Sequence, residues 1–266
     1  MTRRALVTNL RLAGDLARRD LQAKYRRSSI GLFWLVLTPL GLLGIYSLVF
    51  GQVFGVQWQA PHLAGQASFG FVLPFFVGLA VYLTISDIVN SSTTLFVSKR
   101  TYVVKSPFPL WVLLAANLLR ASAHAGVLMA LAIGLAVLQW KLSLSGLPWM
   151  ITGLFVCSMF LCGLSLLLAA IGPFIGDISE AMRLLLRVLF YATPITYPLS
   201  LVPLPYRDWM WLNPMTCMVE LLRNPVVFGI MPPLSVLLWF GGFSVLLLAL
   251  GGWVFSRVKG VISDVV

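Results

Sequence analysis

Asp87 and Arg120 each fall within a long apolar stretch of this sequence, and His124 follows Arg120 by one helical turn. A charge inside a hydrocarbon layer is costly, so such residues are candidates for an ion path, a proton relay or a wet cavity. The plainer reading is that Arg120 snorkels towards the nearer headgroups. A proton-coupled carrier would place more carboxylates in its apolar stretches than this chain does. Arg183, Arg187, Tyr191 and Pro194 recur every three or four residues and so share one helical face, with Tyr197 close to it. Basic at one end and aromatic above, that face suits a phosphate-bearing, sugar-rich passenger. Interface arginines and ordinary aromatic packing are the alternative. Trp34, Tyr46 and Phe50 are aromatic candidates for the same lining.

No stretch reads G-x-x-x-x-G-K-[ST], H-E-x-x-H or G-x-S-x-G, so the signatures of nucleotide hydrolysis, zinc proteolysis and serine hydrolysis are missing. His62 and His124 are too far apart in the chain to suggest a site. Cys157, Cys162 and Cys217 show neither metal nor redox spacing, which leaves packing as their expected role. Neither a catalytic residue nor a metal site is predicted, and the chain is expected not to be an enzyme by itself. Uphill work would need energy from elsewhere.

Composition says what must position these residues. Hydrophobic residues make up 59% of the chain and charged residues 10%, where a soluble domain would carry nearer a quarter charged. The net charge of +11 does not point to nucleic acid, because 8 of the 19 lysines and arginines lie in the first 27 positions, beside an apolar run. Attraction to anionic lipid explains them better. Residues 3–27 have helical periodicity, with Leu6, Leu10, Ala13, Ala17, Leu21 and Tyr25 on one arc, and Arg4, Arg11, Arg18, Arg19 and Arg26 on another side. Such a helix lies on the membrane surface or packs on a partner. A cleaved leader is not expected, because about 27 polar residues precede an apolar run too long for a signal peptide.

From Ser28 no charge appears until Asp87, more chain than one span of about 20 residues needs. It must go out and back, turning in the polar segment 57–68. The expected spans are 30–54, 69–89, 110–138, 147–171, 178–199 and 234–255. Asp177 is expected to cap the fifth, with Glu180 completing a capping box. Both ends then lie inside. Fifteen basic residues fall on the cytoplasmic side, against Lys141, Arg207 and Arg223 outside, as the positive-inside rule requires.

Eight of the 15 prolines lie between Pro194 and Pro233, which rules out one long helix there. Asn213–Pro214 reads as a helix start and Asn224–Pro225 as its stop. A helix of that length spans about half of a roughly 30 Å core, so it dips into the membrane or lies on it. The hairpin carries Trp209, Trp211, Glu220 and Arg223. Tryptophans there are interface anchors, or the short helix is an outer gate beside a pathway. The two halves show no sequence repeat, which weakens a carrier built from inverted repeats.

Three stretches together resemble the membrane-spanning subunit of ABC-2 type exporters, in particular polysaccharide export permeases of the O-antigen, teichoic acid and capsule kind. They are RRDLQAKYRRSSIGLFWLVLTPL at 18–40, LFVSKRTYVVKSPFPL at 95–110, and YATPITYPLS with WLNPMTCMVELLRNP at 191–200 and 211–225. Their order and spacing match across nearly the whole chain. The resemblance implies an all-α integral membrane protein: an amphipathic interface helix in residues 1–29, carrying Arg18, Arg19, Arg26 and Arg27, and a six-span domain over 30–266. It implies a homodimer in the bacterial inner membrane, joined to two separate ATPase subunits that would bind ATP and Mg, with a lipid-linked glycan as passenger. By the same likeness, 90–109 is the coupling segment, with Lys99, Arg100 and Lys105 facing the ATPase, and 200–233 is the external gate region. Spans one and five of both copies border the conduit. A permease of the same architecture for a drug, lipid or haem stays open as an alternative, with a secondary transporter behind it.

Overall fold

A computed structural model of the chain describes residues 3–25, 28–59, 68–104, 109–139 and 144–265. The first helix, α1 (Arg3–Tyr25), carries no proline, and its single interior glycine, Gly14, is tolerated within it. Among its described side chains, Ala13, Leu16 and Ala17 are buried. They pack on the start of a later span, so the face that meets protein is turned from the expected arc. Leu10 points out, and Leu16, which the arc omitted, points in.

The first apolar run opens with a 3₁₀ turn (Gly31–Phe33), continues as α2 (Trp34–Tyr46) and ends in a π-helical stretch (Ser47–Val53). Leu35, Pro39 and Leu43, spaced by four, form its buried stripe. The turn after this run is closed by a two-residue ladder, β1 (Trp58–Gln59) with β2 (Ser68–Phe69). Beyond it, α3 (Val72–Thr93) is the centre of the bundle, and every residue from 73 to 81 is buried. The chain then makes two short helices, α4 (Leu95–Ser98) and α5 (Arg100–Val104). The connection expected from residue 90 therefore begins four residues later. Ser92 and Thr93 are buried within the end of α3 because their hydroxyls find partners there.

Pro109 holds an extended conformation at the head of α6 (Leu110–Leu138), and Pro148 falls in the first turn of α7 (Leu147–Ile171), where a missing N–H costs no bond. Both helices have the bounds expected from sequence. The fifth expected span is shorter. The helix α8 (Ile178–Ala192) stops seven residues early, because Thr193 stands before Pro194 and takes φ −106°, ψ 142°, the extended form that a following proline imposes. At about 1.5 Å per residue its 15 residues reach about 22 Å. The capping box is also absent: the Asp177 side chain makes no capping bond, and Glu180 pairs with Arg183 instead.

After α9 (Tyr206–Met210), Asn213 caps α10 (Pro214–Arg223), its side-chain oxygen accepting from the Met215 N–H at 3.0 Å. The backbone does not stop at Asn224 as expected. It continues as a π-helical turn (Asn224–Phe228) that accommodates Pro225 in its opening turn. The chain ends with α11 (Leu234–Val258) and a short α12 (Ile262–Val265). Helices α7 and α11 meet backbone to backbone: a Cβ at Gly163 would lie 2.6 Å from Leu248 N, and one at Gly251 2.5 Å from Gly163 O. Small residues allow this close packing where lipid offers little hydrophobic drive for helix association.

Among the described residues, five helical segments are long and apolar enough to cross a membrane: Gly31–Val53, Val72–Thr93, Leu110–Leu138, Leu147–Phe174 and Leu234–Val258.

Candidate functional site

Two buried clusters organise the molecule. The larger follows α3 and gathers side chains from α2, α7, α8, α10 and α11. The smaller lies at the α1 end, where Ala13, Leu16 and Ala17 meet Leu95, Phe96 and Val103, the start of α6 at Val112, Leu113 and Ala116, and Ile262 of α12. Helix α1, the short helices after α3 and the C-terminal α12 thus share one core at one end of the spans.

Polar bonds reinforce this end. Lys99, between α4 and α5, pairs with Asp20 of α1, while Arg100, Arg18 and Arg19 are exposed. Arg26, Arg27 and Lys105 lie outside the described residues. Deeper in, the Arg120 guanidinium donates to Asp87 Oδ2 at 2.7 Å and to Asn117 Oδ1 at 3.2 Å. His124 Nδ1 lies 3.6 Å from the same Asp87 oxygen. Asn117 donates to Ser92 Oγ at 3.1 Å, and Ser92 meets Ser165 Oγ at 2.8 Å. The chain of polar groups joins α3, α6 and α7. Arg120 is therefore paired inside the bundle rather than reaching for headgroups, since a buried charge is stabilised by a partner and further hydrogen bonds. The spacing of Arg120 and His124 hints at this cluster, but nothing in the sequence singles out Asn117, Ser92 or Ser165.

The aromatic candidates divide. Tyr46 stacks on Phe75 (centroids 5.1 Å apart) and packs against Phe190 (5.7 Å), and Phe50 stacks on Phe71 (6.2 Å). These rings hold α2 and its π-helical end against α3 and α8. Trp34 lies away from them at the start of α2, donating to Ser28 Oγ at 2.8 Å. On α8, Arg183, Arg187 and Tyr191 are exposed along one face, beside Leu184 and Val188. Tyr197 donates to the Tyr191 carbonyl at 3.1 Å and caps the end of that face. Arg183 is held by Glu180 one turn away, a partner the sequence reading assigned elsewhere.

At the opposite end, Trp209 is exposed and Trp211 half-buried, but α10 is no surface helix. Every residue from 215 to 227 is buried, against α3, α7 and α11. Arg223 is fully buried. Its Nη1 donates to Glu220 at 2.6 Å, its Nε to the Pro74 carbonyl at 3.1 Å, and its guanidinium lies over the Trp58 ring at 4.2 Å. A Cβ at Gly78 would come within 2.8 Å of Arg223 Nη2, so glycine gives the guanidinium its room. One arginine thus joins the short helix, the central span and the turn that carries Trp58. Trp58 and Gly78 carried no sequence signal, because their partner is distant in the chain. Asn213 adds a second tie, donating to Thr193 Oγ1 at 2.9 Å.

An apolar groove of about 670 Å³ opens between α3, α6 and α7, with Met218 and Leu222 of α10 among its lining residues.

Five helices long and apolar enough to cross a membrane, a buried short helix before the last of them and a packed helix at the start define a polytopic membrane protein. The model of the family described as ABC-2 type transporter matches residues 14–227, and the chain belongs to that family. An O-antigen export system permease protein RfbA of Klebsiella pneumoniae is 23% identical over 249 residues, covering 92% of this chain and 90% of its own length. An O-antigen export system permease protein RfbA of Myxococcus xanthus is 27% identical over 194 residues (71% and 68%), and the Polysialic acid transport protein KpsM of Escherichia coli is 21% identical over 214 residues (79% of each).

Proposed function

We propose that this chain is the membrane-spanning permease subunit of an ATP-driven exporter that carries a lipid-linked polysaccharide across the bacterial inner membrane. The observation that carries the proposal is the likeness, along nine-tenths of both chains, to a permease of O-antigen export. The molecule acts as a homodimer with two ATPase subunits, which bind ATP and Mg. Exposed apolar side chains along α2 and α8, among them Leu37, Leu40, Leu184 and Val188, support a second copy facing these helices. The conduit then runs between them, with Arg183, Arg187, Tyr191 and Tyr197 towards the passenger. Tyr46 and Phe50 back it.

In this reading α8 is a sixth crossing element that completes its passage through the Thr193–Pro198 segment, and both termini are cytoplasmic. Helix α1 and the residues 95–104 form the surface on which an ATPase acts, with Arg100, Arg18 and Arg19 exposed on it. The wedge α10, tied by Arg223 and Glu220, is the outer gate, flanked by Trp209 and Trp211. ATP binding draws the ATPases together, moves the α1 end and changes the separation of α2 and α8 between the copies.

The test is to tag the chain in its native host, extract it in mild detergent and measure what accompanies it. An ATP-hydrolysing subunit in equal amount, stimulated by a lipid-linked glycan, is expected. A chain that purifies alone and still transports overturns the proposal.

A further inference from the structure

We propose that the ion pair between Asp20 and Lys99 is a strut that makes α1 and the residues 95–104 one lever, so that Lys99 acts as a positioning residue rather than as a contact to the ATPase. This rests on the exporter reading above and specifies how force would pass through its inner end.

Asp20 is the carboxylate on the face of α1 that packs. Ala13, Leu16 and Ala17 are buried on that face, and Asp20 lies three and four residues beyond the last two, so it sits on the same side one turn on. Basic residues dominate the rest of the helix, and Arg18 and Arg19, its near neighbours, are exposed. The Lys99 side chain is only 15% exposed and that of Asp20 31%. The pair is thus shielded on its protein side, where it is screened less than a surface pair. Lys99 sits at the break between α4 and α5, and its backbone carbonyl accepts the Tyr102 N–H at 2.9 Å. The residue that reaches Asp20 therefore also starts the next helical turn.

Packing explains why this pair matters. Helix α1 and the short helices each rest on the start of α6 through the same small core. Apolar contacts of that kind allow sliding, because they are not directional. An ion pair with a hydrogen bond fixes one relative position. Leu95 and Phe96 are buried and Lys99 is half-buried, whereas the next residue, Arg100, is exposed. The lever thus has an inner residue that holds it together and an outer one free to meet another chain.

The test is a charge swap in the complete complex. Asp20→Lys and Lys99→Asp are each expected to lower ATP hydrolysis and glycan export several-fold with the ATPase still recovered, whereas the double swap restores most of both. Lys99→Arg is expected to keep them near the parent level. If the swap is no better than the worse single variant, or if Asp20→Lys is silent while Lys99→Asp loses the ATPase, the strut is overturned and Lys99 contacts the partner directly. A second readout is independent of transport. Asp20→Cys with Lys99→Cys, in a chain whose three native cysteines are replaced, is joined by a short bismaleimide. Efficient joining with export retained supports a rigid lever, and joining that arrests export overturns it. Should the parent chain recover no ATPase at all, the exporter reading fails, and the strut is judged on the melting temperature of the permease alone. There the swap must regain what each single variant loses.

Discussion

Arg223 lies with its guanidinium carbon 4.2 Å from the centroid of the Trp58 ring, although three of the five long apolar helices separate the two residues in the chain. Fully buried, Arg223 is also paired with Glu220 and bonded to the Pro74 carbonyl. Removing one member of such a pair leaves the other charge buried and uncompensated, at about 3–5 kcal/mol. Arg223→Ala should therefore lower the melting temperature of the purified permease sharply, and Glu220→Gln less, because the amide still accepts from the guanidinium. A fall for Arg223→Ala no larger than that of an exposed arginine would show that the pair does not hold α10.

The Asp87–Arg120 pair should behave in the same sense. Arg120→Ala takes from Asp87 its guanidinium partner and breaks the bond to Asn117, and is expected to reduce folded yield and stability by up to about 3–5 kcal/mol. Replacing both with apolar residues of similar volume is expected to cost far less, since a buried ion pair is often no more stabilising than a well-packed apolar pair. Thermal unfolding in detergent of the single and double variants checks this. Equal losses would mean that the charges do something other than satisfy each other.

Gly163 and Gly251 set the separation of α7 and α11. Gly163→Val forces a side chain against the backbone of Leu247 and Leu248, which is expected to cost about 1–3 kcal/mol or more and to lower the yield of membrane-inserted chain. Gly252→Ala is the control, because nothing stands within 4 Å of a Cβ there. A tolerated valine at 163 would show that the two spans can part.

On α8, Arg183 and Arg187 are exposed. Replacing both with alanine should change stability by no more than about 0.5 kcal/mol and leave recovery of the ATPase intact, while glycan export falls several-fold. Measured export equal to that of the parent chain would remove the basic mouth from the conduit.

Sequence alone determined that the chain crosses a membrane and where most of its helices begin and end. Runs of apolar residues must hide their backbone polar groups in helices, and proline and asparagine punctuate them locally. Hence 110–138 and 147–171 were legible to the residue, as was the Asn213 cap. Where a break depends on what the backbone does next, legibility faded: the Thr193–Pro194 stop of α8 lay inside an apolar run, and Pro225 was absorbed into a π-helical turn rather than ending the helix. Only tertiary structure decided which charges meet. Asp20 with Lys99, Asp87 with Arg120, and Arg223 with Trp58 join residues far apart in the chain, and periodicity reports which face a residue occupies, not what that face meets. That α10 is a buried wedge, rather than a helix lying on lipid, follows for the same reason. Its composition suits either place, and its neighbours α3, α7 and α11 choose between them.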